Sequence, residues 1–212
     1  MNITKYAHAC LVVDEQGQKI VIDPGGFTPA FGDIQNIVAV VITHAHGDHF
    51  NAAHLAAIAE ANPTVQVFST PEVAAQIDSI PITAVKAAET HTVGPFSLRF
   101  FGEQHALIHE SIPRIQNIGV MVNDTLYYPG DSFTTPGDAR VGALALPVSA
   151  PWMKIGEAID FLQAVQPRLC FATHNAILSE SGQAIVDNIL SQASAAQNVV
   201  YHSLKPGQSL VL

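Results

Sequence analysis

Apolar and polar positions change rhythm along this chain, and the changes mark its elements. Asn2 to Ala7, Ala9 to Val13 and Lys19 to Ile22 read as three short strands, with Asp14-Glu15-Gln16-Gly17 as the hairpin turn between the second and third. Asp23-Pro24-Gly25-Gly26 breaks the third strand. Ile37 to Thr43 is a continuous run rich in β-branched residues, the pattern of a strand buried on both faces, and it ends in the polar segment His44 to His49. A helix is predicted to follow up to Ala61, with Asn51 as N-cap and Pro63 as its stop. Val65 to Phe68 is a predicted strand, and Pro71 opens a short helix ending near Asp78.

The second half repeats the alternation. Strands are predicted at Thr83 to Val85, Phe96 to Phe101, Ile118 to Val122, Leu126 to Tyr128 and Ala143 to Val148. Lys154 to Val165 is an amphipathic helix stopped by Pro167, Arg168 to Thr173 a buried strand and Ser181 to Ala195 a helix. Val199 to His202 and Ser209 to Leu212 close the sheet. β-rich sections alternate with βα units in each half, which predicts an α/β (α+β) fold of two sheets sandwiched between helices. With 212 residues, no short repeat and no linker, a single domain over residues 1–212 is expected.

Composition narrows the partners. Hydrophobic residues make up 48% of the chain, yet no segment supplies the roughly 20 consecutive apolar residues of a membrane span. The first residues lack a basic region followed by an apolar one, so the cytoplasm is the expected location. Net charge is −9, and the nine Lys and Arg are scattered from Lys5 to Lys205 without forming a basic stripe. Nucleic acid is therefore disfavoured as a partner, and a small-molecule substrate is expected; the sequence leaves a homo-oligomer open. Cys10 and Cys170 sit in apolar β-type runs and are expected as buried thiols.

Ten histidines carry the chemical signal. Thr43-His44-Ala45-His46-Gly47-Asp48-His49 places three imidazoles and a carboxylate just beyond a buried strand. Such donors suit zinc, manganese or iron. Alternation sends His44 and His46 to one side; the chain then turns, so Asp48 and His49 can face a second ion. Asp131 and His174 also stand just past apolar β-runs, where the loops of a layered sheet converge. For a further ligand His105 is chosen over His109 and His91, because it directly follows a strand. Asp23 is either an anchor behind the ligand loop or a turn former. His8 is either a proton donor or substrate contact in the pocket, or a core histidine. His54 reads as structural, and His91 and His202 stay unassigned. Trp152 and Met153 are candidate pocket lining, while Lys154 and Arg114 are either anion contacts or solvated surface.

These residues make the chain resemble the metallo-β-lactamase superfamily, with the closest likeness to the small stand-alone metal-dependent hydrolases related to L-ascorbate-6-phosphate lactonase. Tyr6-Ala7-His8-Ala9, Ile22-Asp23-Pro24, the histidine run, Tyr128-Pro129-Gly130-Asp131, Leu146-Pro147 and the ending Leu204 to Leu210 carry it. The resemblance implies a four-layer αββα sandwich with two divalent metal ions, zinc first and manganese or iron as alternatives. It implies His44, His46 and His105 on the first ion, Asp48, His49 and His174 on the second, and Asp131 bridging both. Aspartate at 131 argues against antibiotic hydrolysis, and histidine at 46 against the diiron oxidoreductase branch. Ala7, Asn175 and the Pro147 to Met153 loop depart from the branch's pattern and put the substrate in question. The expected chemistry is hydrolysis of a small ester, lactone or phosphoester by a hydroxide shared between the ions, with catalytic roles for Asp48 as proton acceptor and for His8. A nuclease or phosphodiesterase on nucleic acid, and a metal-binding sensor without turnover, are the alternatives.

Overall fold

The computed structural model describes residues 1–29 and 35–212. In the first half β1 (Asn2–Lys5), β2 (Leu11–Glu15) and β3 (Gln18–Ile22) form an antiparallel meander. Next β4 (Ile37–Ile42), α1 (Ala52–Ala61), β5 (Gln66–Ser69), α2 (Pro71–Ala74) and β6 (Ile82–Ala84) extend that sheet with parallel strands. In the second half β7 (Thr90–Val93), β8 (Phe96–Phe101), β9 (Gly119–Val122) and β10 (Leu126–Tyr128) run antiparallel. The sheet then grows in parallel through β11 (Ala143–Pro147), α3 (Ile155–Val165), β12 (Leu169–Thr173), α4 (Glu180–Ala195) and β13 (Val200–His202). Finally β14 (Ser209–Val211) returns to the first sheet and pairs antiparallel with β1. Among the described residues both sheets have seven strands, ordered β14-β1-β2-β3-β4-β5-β6 and β13-β12-β11-β10-β9-β8-β7.

Period-two alternation decides the layers. Along β4, Ala39 and Val41 face the other sheet and join Ile20, Ile22, Phe100 and Phe171 between the two. Val40 and Ile42 point the opposite way, under Leu55 and Ile58 of α1. In the second sheet Leu144, Leu146 and Cys170 pack under Ala158, Phe161 and Leu162 of α3 and Leu190 of α4. The result is the expected αββα sandwich. Strands buried on both faces must be apolar at nearly every position, which is why their runs were continuous in the sequence. Cys10 and Cys170 are buried free thiols. Among the described residues no helix is long and apolar enough to cross a membrane.

Several boundaries differ from expectation, and one strand was missing from it. The first strand stops at Lys5 rather than Ala7, because the chain reverses over Tyr6 to Cys10 with His8 at φ 59° and the Tyr6 N–H bonded to the Cys10 carbonyl. The first hairpin turns on Gln16 and Gly17 alone, both at positive φ, while Asp14 accepts the Gly17 N–H at 3.2 Å and Glu15 stays in β2. The helix opened by Pro71 ends at Ala74, after Val73, its buried side chain. Strand β7 was not predicted. Its Thr90-His91-Thr92-Val93 buries only Val93, because it lies at the edge of its sheet.

Candidate metal centre

Loops leaving the ends of strands from both sheets meet in one place. The loop after β1 brings His8, that after β3 Asp23, and that after β4 His44, His46, Asp48 and His49. From the second sheet come His105 after β8, Asp131 after β10, Trp152 after β11 and His174 after β12. All seven residues expected as ligands, with His8, gather here in two groups. His44, His46, His105 and Asp131 form one, and His8, Asp48, His49 and His174 the other; in each group the donor atoms lie within 4.8 Å of one another. Asp131 joins the groups: Oδ1 is 3.2 Å from His49 Nε2, and Oδ2 is 3.4 Å from His105 Nε2 and 3.1 Å from His174 Nε2.

The outward ring nitrogens define how these histidines are held. Nδ1 of His49 donates to Asp23 Oδ2 at 2.7 Å, Nδ1 of His105 to the Ala106 carbonyl at 2.6 Å, and Nδ1 of His174 to the Ser149 carbonyl at 2.6 Å. Nδ1 of His44 donates to Thr43 Oγ1 at 3.0 Å, because that hydroxyl spends its own proton on Asp23 Oδ2 at 2.7 Å. With Nδ1 so engaged, the ring nitrogen that each of these histidines turns inward is Nε2. His46 turns the other way, with Nδ1 3.1 Å from His44 Nε2. The inward Nε2 atoms of His49, His105 and His174 and Asp131 Oδ1 are all buried without a hydrogen-bond partner. Buried polar atoms are rarely left so. Imidazole nitrogens this close to carboxylate oxygens need a proton or a metal cation between them, and a set of imidazoles and carboxylates so gathered fits divalent metal ions.

His8 is wired differently. Its Nδ1 accepts the Ala176 N–H at 3.3 Å, which leaves the proton on Nε2, and Nε2 donates to Asp48 Oδ2 at 3.0 Å. Its ring lies against His174, centroids 3.9 Å apart, and its carbonyl accepts the His174 N–H.

Behind these two groups stands a buried polar frame. Asp23 is fully buried; Oδ1 accepts the Thr43 N–H at 2.7 Å, and Oδ2 also accepts the Tyr128 hydroxyl at 2.9 Å. It acts as an anchor rather than only a turn former. Asn117 Oδ1 accepts the Asp131 N–H at 3.0 Å, while its amide donates to the Pro129 carbonyl. Two glycines let the loops approach: a Cβ on Gly25 would lie 1.8 Å from the Asp48 carbonyl oxygen, and one on Gly130, already at φ 65°, 2.4 Å from Asn117 Oδ1. The Trp152 indole N–H donates to Asp131 Oδ2 at 2.9 Å. From the sequence Trp152 reads only as lining and Tyr128 only as part of the motif before Asp131, and nothing there points to Asn117.

Electrostatics separate the two groups. Burial and the neighbouring imidazoles hold His44 well below the usual histidine range, and burial lowers His46 likewise. Burial pushes His49 down too, but the Asp131 and Asp23 carboxylates overcome it and raise His49 well above its ordinary value. His174, also opposed by burial, is raised to about 9 by Asp131 and Asp48. Burial would raise both carboxyls, yet the surrounding histidines hold Asp131 and Asp48 below the ordinary carboxylate range.

A sequence profile described as a β-lactamase superfamily domain matches residues 2–174. The chain belongs to the β-lactamase superfamily. Protein Rv0786c of Mycobacterium tuberculosis is similar at 36% identity over 190 residues, 87% of this chain and 89% of that protein. A UPF0173 metal-dependent hydrolase of Flavobacterium johnsoniae is 43% identical over 54 residues, 23% of this chain and 24% of that protein. Among solved structures, Igni18, a metallo hydrolase from Ignicoccus hospitalis, shares the fold with a TM-score of 0.74 at 16% identity, covering 99% of this chain and 97% of that one.

Within this superfamily domain the other histidines stand apart from the two groups. His109 is exposed and shares Nδ1 with the hydroxyl and N–H of Ser111. His91 lies on β7, 3.3 Å from Glu89 and against Phe68. His54 is on α1 and His202 on β13. The Arg114 Nε donates to the His105 carbonyl and so fastens the loop that carries His105.

Proposed function

We propose that this chain is a metal-dependent hydrolase working through two divalent cations, zinc first, with manganese or iron accommodated by the same donors. His44, His46 and His105 would hold one cation, Asp48, His49 and His174 the other, and Asp131 would lie between them. The convergence of buried, partnerless Nε2 atoms on Asp131 is the observation that carries this reading. When bound, such a pair supplies Lewis acidity toward a carbonyl or phosphoryl oxygen and makes water acidic enough to ionise near neutral pH.

The chain's own groups do the rest. Asp48 is the proposed acceptor for the proton of the attacking water. The Nε2–H of His8 keeps the Asp48 carboxylate turned into the site. His8 is a poor acid in this setting: its Nδ1 already accepts a backbone N–H, and burial lowers its affinity for a second proton. It is therefore proposed as a positioning residue for Asp48, in place of the proton donor considered from sequence. Small esters, lactones and phosphoesters are the substrate classes.

The test combines metal titration with a substrate panel. Calorimetry with zinc and manganese should show two binding events, and a panel of p-nitrophenyl esters, lactones and bis-p-nitrophenyl phosphate should show metal-dependent turnover. Binding without turnover of any substrate would favour a sensor. Preference for an oligonucleotide would favour a nuclease.

A further inference from the structure

Resting on the hydrolytic reading above, we infer that the substrate is an uncharged ester or lactone whose apolar substituent lies across the mouth of the metal centre. Soluble surfaces scatter exposed large apolar side chains singly, and clusters of them mark sites that a ligand covers. Seven such side chains are exposed among the described residues, and three of them, Ile185, Val200 and Val211, sit on α4 and the edge strands β13 and β14. The other four, Phe27 (51% exposed), Leu107 (49%), Ile112 (45%) and Ile177 (49%), all sit on loops that carry the site. Phe27 follows Asp23 in its loop and meets the His8 ring edge-on, centroids 5.0 Å apart. Leu107 and Ile112 share a wall with His46 and His105. Ile177 is three positions past His174. Leu107 also opens onto a cavity of about 430 Å³ in which Trp152 is a wall. Apolar surface thus borders the centre on the His8 side and on the His105 side.

Charge settles what kind of compound this surface receives. The cavity walled by Leu107 and Trp152 carries Arg114 and Glu157, and the one beside His8, of about 500 Å³, carries Lys205 and Glu180. Each cation is matched by an anion, and the whole chain carries −9. Apart from the cations proposed for the centre itself, no unbalanced positive side chain lines these two cavities to favour a phosphate or carboxylate on the substituent, and the chain's net negative charge disfavours one there. A neutral acyl group with an alkyl or aryl substituent loses nothing to that field and gains from covering the rim.

The chain's single tryptophan, Trp152, lines the cavity and reports its occupancy. Titrating the protein with N-methylalkanamides of increasing length, read by Trp152 fluorescence, should tighten binding by about twofold to fourfold per methylene. On the zinc-loaded protein kcat/KM for p-nitrophenyl esters should climb from acetate to octanoate by a similar factor per methylene, and exceed that for bis-p-nitrophenyl phosphate. The double variant Phe27→Ser, Leu107→Ser should flatten both series, whereas Ile185→Ser, on the exposed face of α4, should leave both slopes intact. Flat series in the unaltered protein, or a preference for the phosphodiester, would overturn the inference while leaving the hydrolase reading in place. Length-dependent amide binding with no ester turned over would remove the hydrolase reading and leave the apolar ligand standing.

Discussion

The two candidate donor groups use the same kinds of side chain in opposite electrostatic settings. His44, His46 and His105 surround one carboxylate, and burial keeps His44 and His46 uncharged. In the other group His49 and His174 lie between Asp48, Asp131 and Asp23, and these carboxylates hold protons on both rings. The first group is thus prepared for a metal ion, while in the second a proton occupies the place a metal ion would take. Asp131 belongs to both, so the largest effect is expected there. Asp131→Ala should abolish turnover, lowering it by a factor on the order of 10³ or more, and lose metal from both groups. Elemental analysis of the purified variant decides this; retention of one full equivalent would mean that the groups do not depend on a shared carboxylate.

Asp23 offers a way to weaken one group more than the other. It touches His49 directly but reaches His44 only through the Thr43 hydroxyl. Outer partners of metal-binding histidines typically contribute ~10–100-fold in affinity. Asp23→Asn should therefore weaken the second binding event by that factor and the first by less. Equal loss at both events would show that the Thr43 relay matters as much as the direct contact.

Proton occupancy gives a third prediction. Metal entering the second group must displace protons from His49 and His174, so its affinity should rise about tenfold per pH unit for each proton released, up to about pH 9, where His174 loses its proton unaided. The first event should vary less. Calorimetry in buffers of different ionisation enthalpy counts the protons. The metal-free fold should show the converse. A histidine raised in the folded state contributes stability that is complete below about 6.5, its unfolded value, and fades as pH climbs through about 9. Melting temperature without metal should accordingly fall between pH 6.5 and 9, and the zinc-loaded protein should not follow it.

How far the sequence revealed this depends on where partners lie along the chain. Continuous apolar runs such as Ile37 to Ile42 disclosed the doubly covered strands, and the polar residues that end them disclosed the loops that converge. The seven expected ligands were visible because each stands just past such a run. Strand β7 was hidden because an edge position tolerates Thr-His-Thr, which carries no apolar signal. The supporting frame was hidden for another reason. Tyr128 bonds Asp23 across 105 positions and Asn117 bonds Asp131 across 14, and no local pattern records such a pairing. His8 was noticed, but its tautomer depends on the Ala176 N–H, which only the fold brings to it.

Trp152 tests the shared carboxylate most finely. Its indole N–H holds Asp131 Oδ2 from the side of the α3 loop, while Asn117 Oδ1, earlier in the chain, accepts the Asp131 N–H. Without a cation, this bond helps keep the carboxylate aimed into the cluster. With one bound, the indole would still hold the carboxylate that the proposed cations share. Trp152→Phe keeps most of the ring's packing against Phe133 and removes the donor. A hydrogen bond to a charged acceptor contributes about 1.5 kcal/mol at the low end, and a partly exposed site lets water replace some of that. Affinity should fall by about tenfold or less, measured by competition with a chromophoric chelator, and it should fall for both binding events, because Asp131 is common to both. Loss confined to one event would place Oδ2 in that group alone. A rise in affinity would mean that the indole competes with the cation for the oxygen, and would turn Trp152 from a support of the centre into a restraint on its loading.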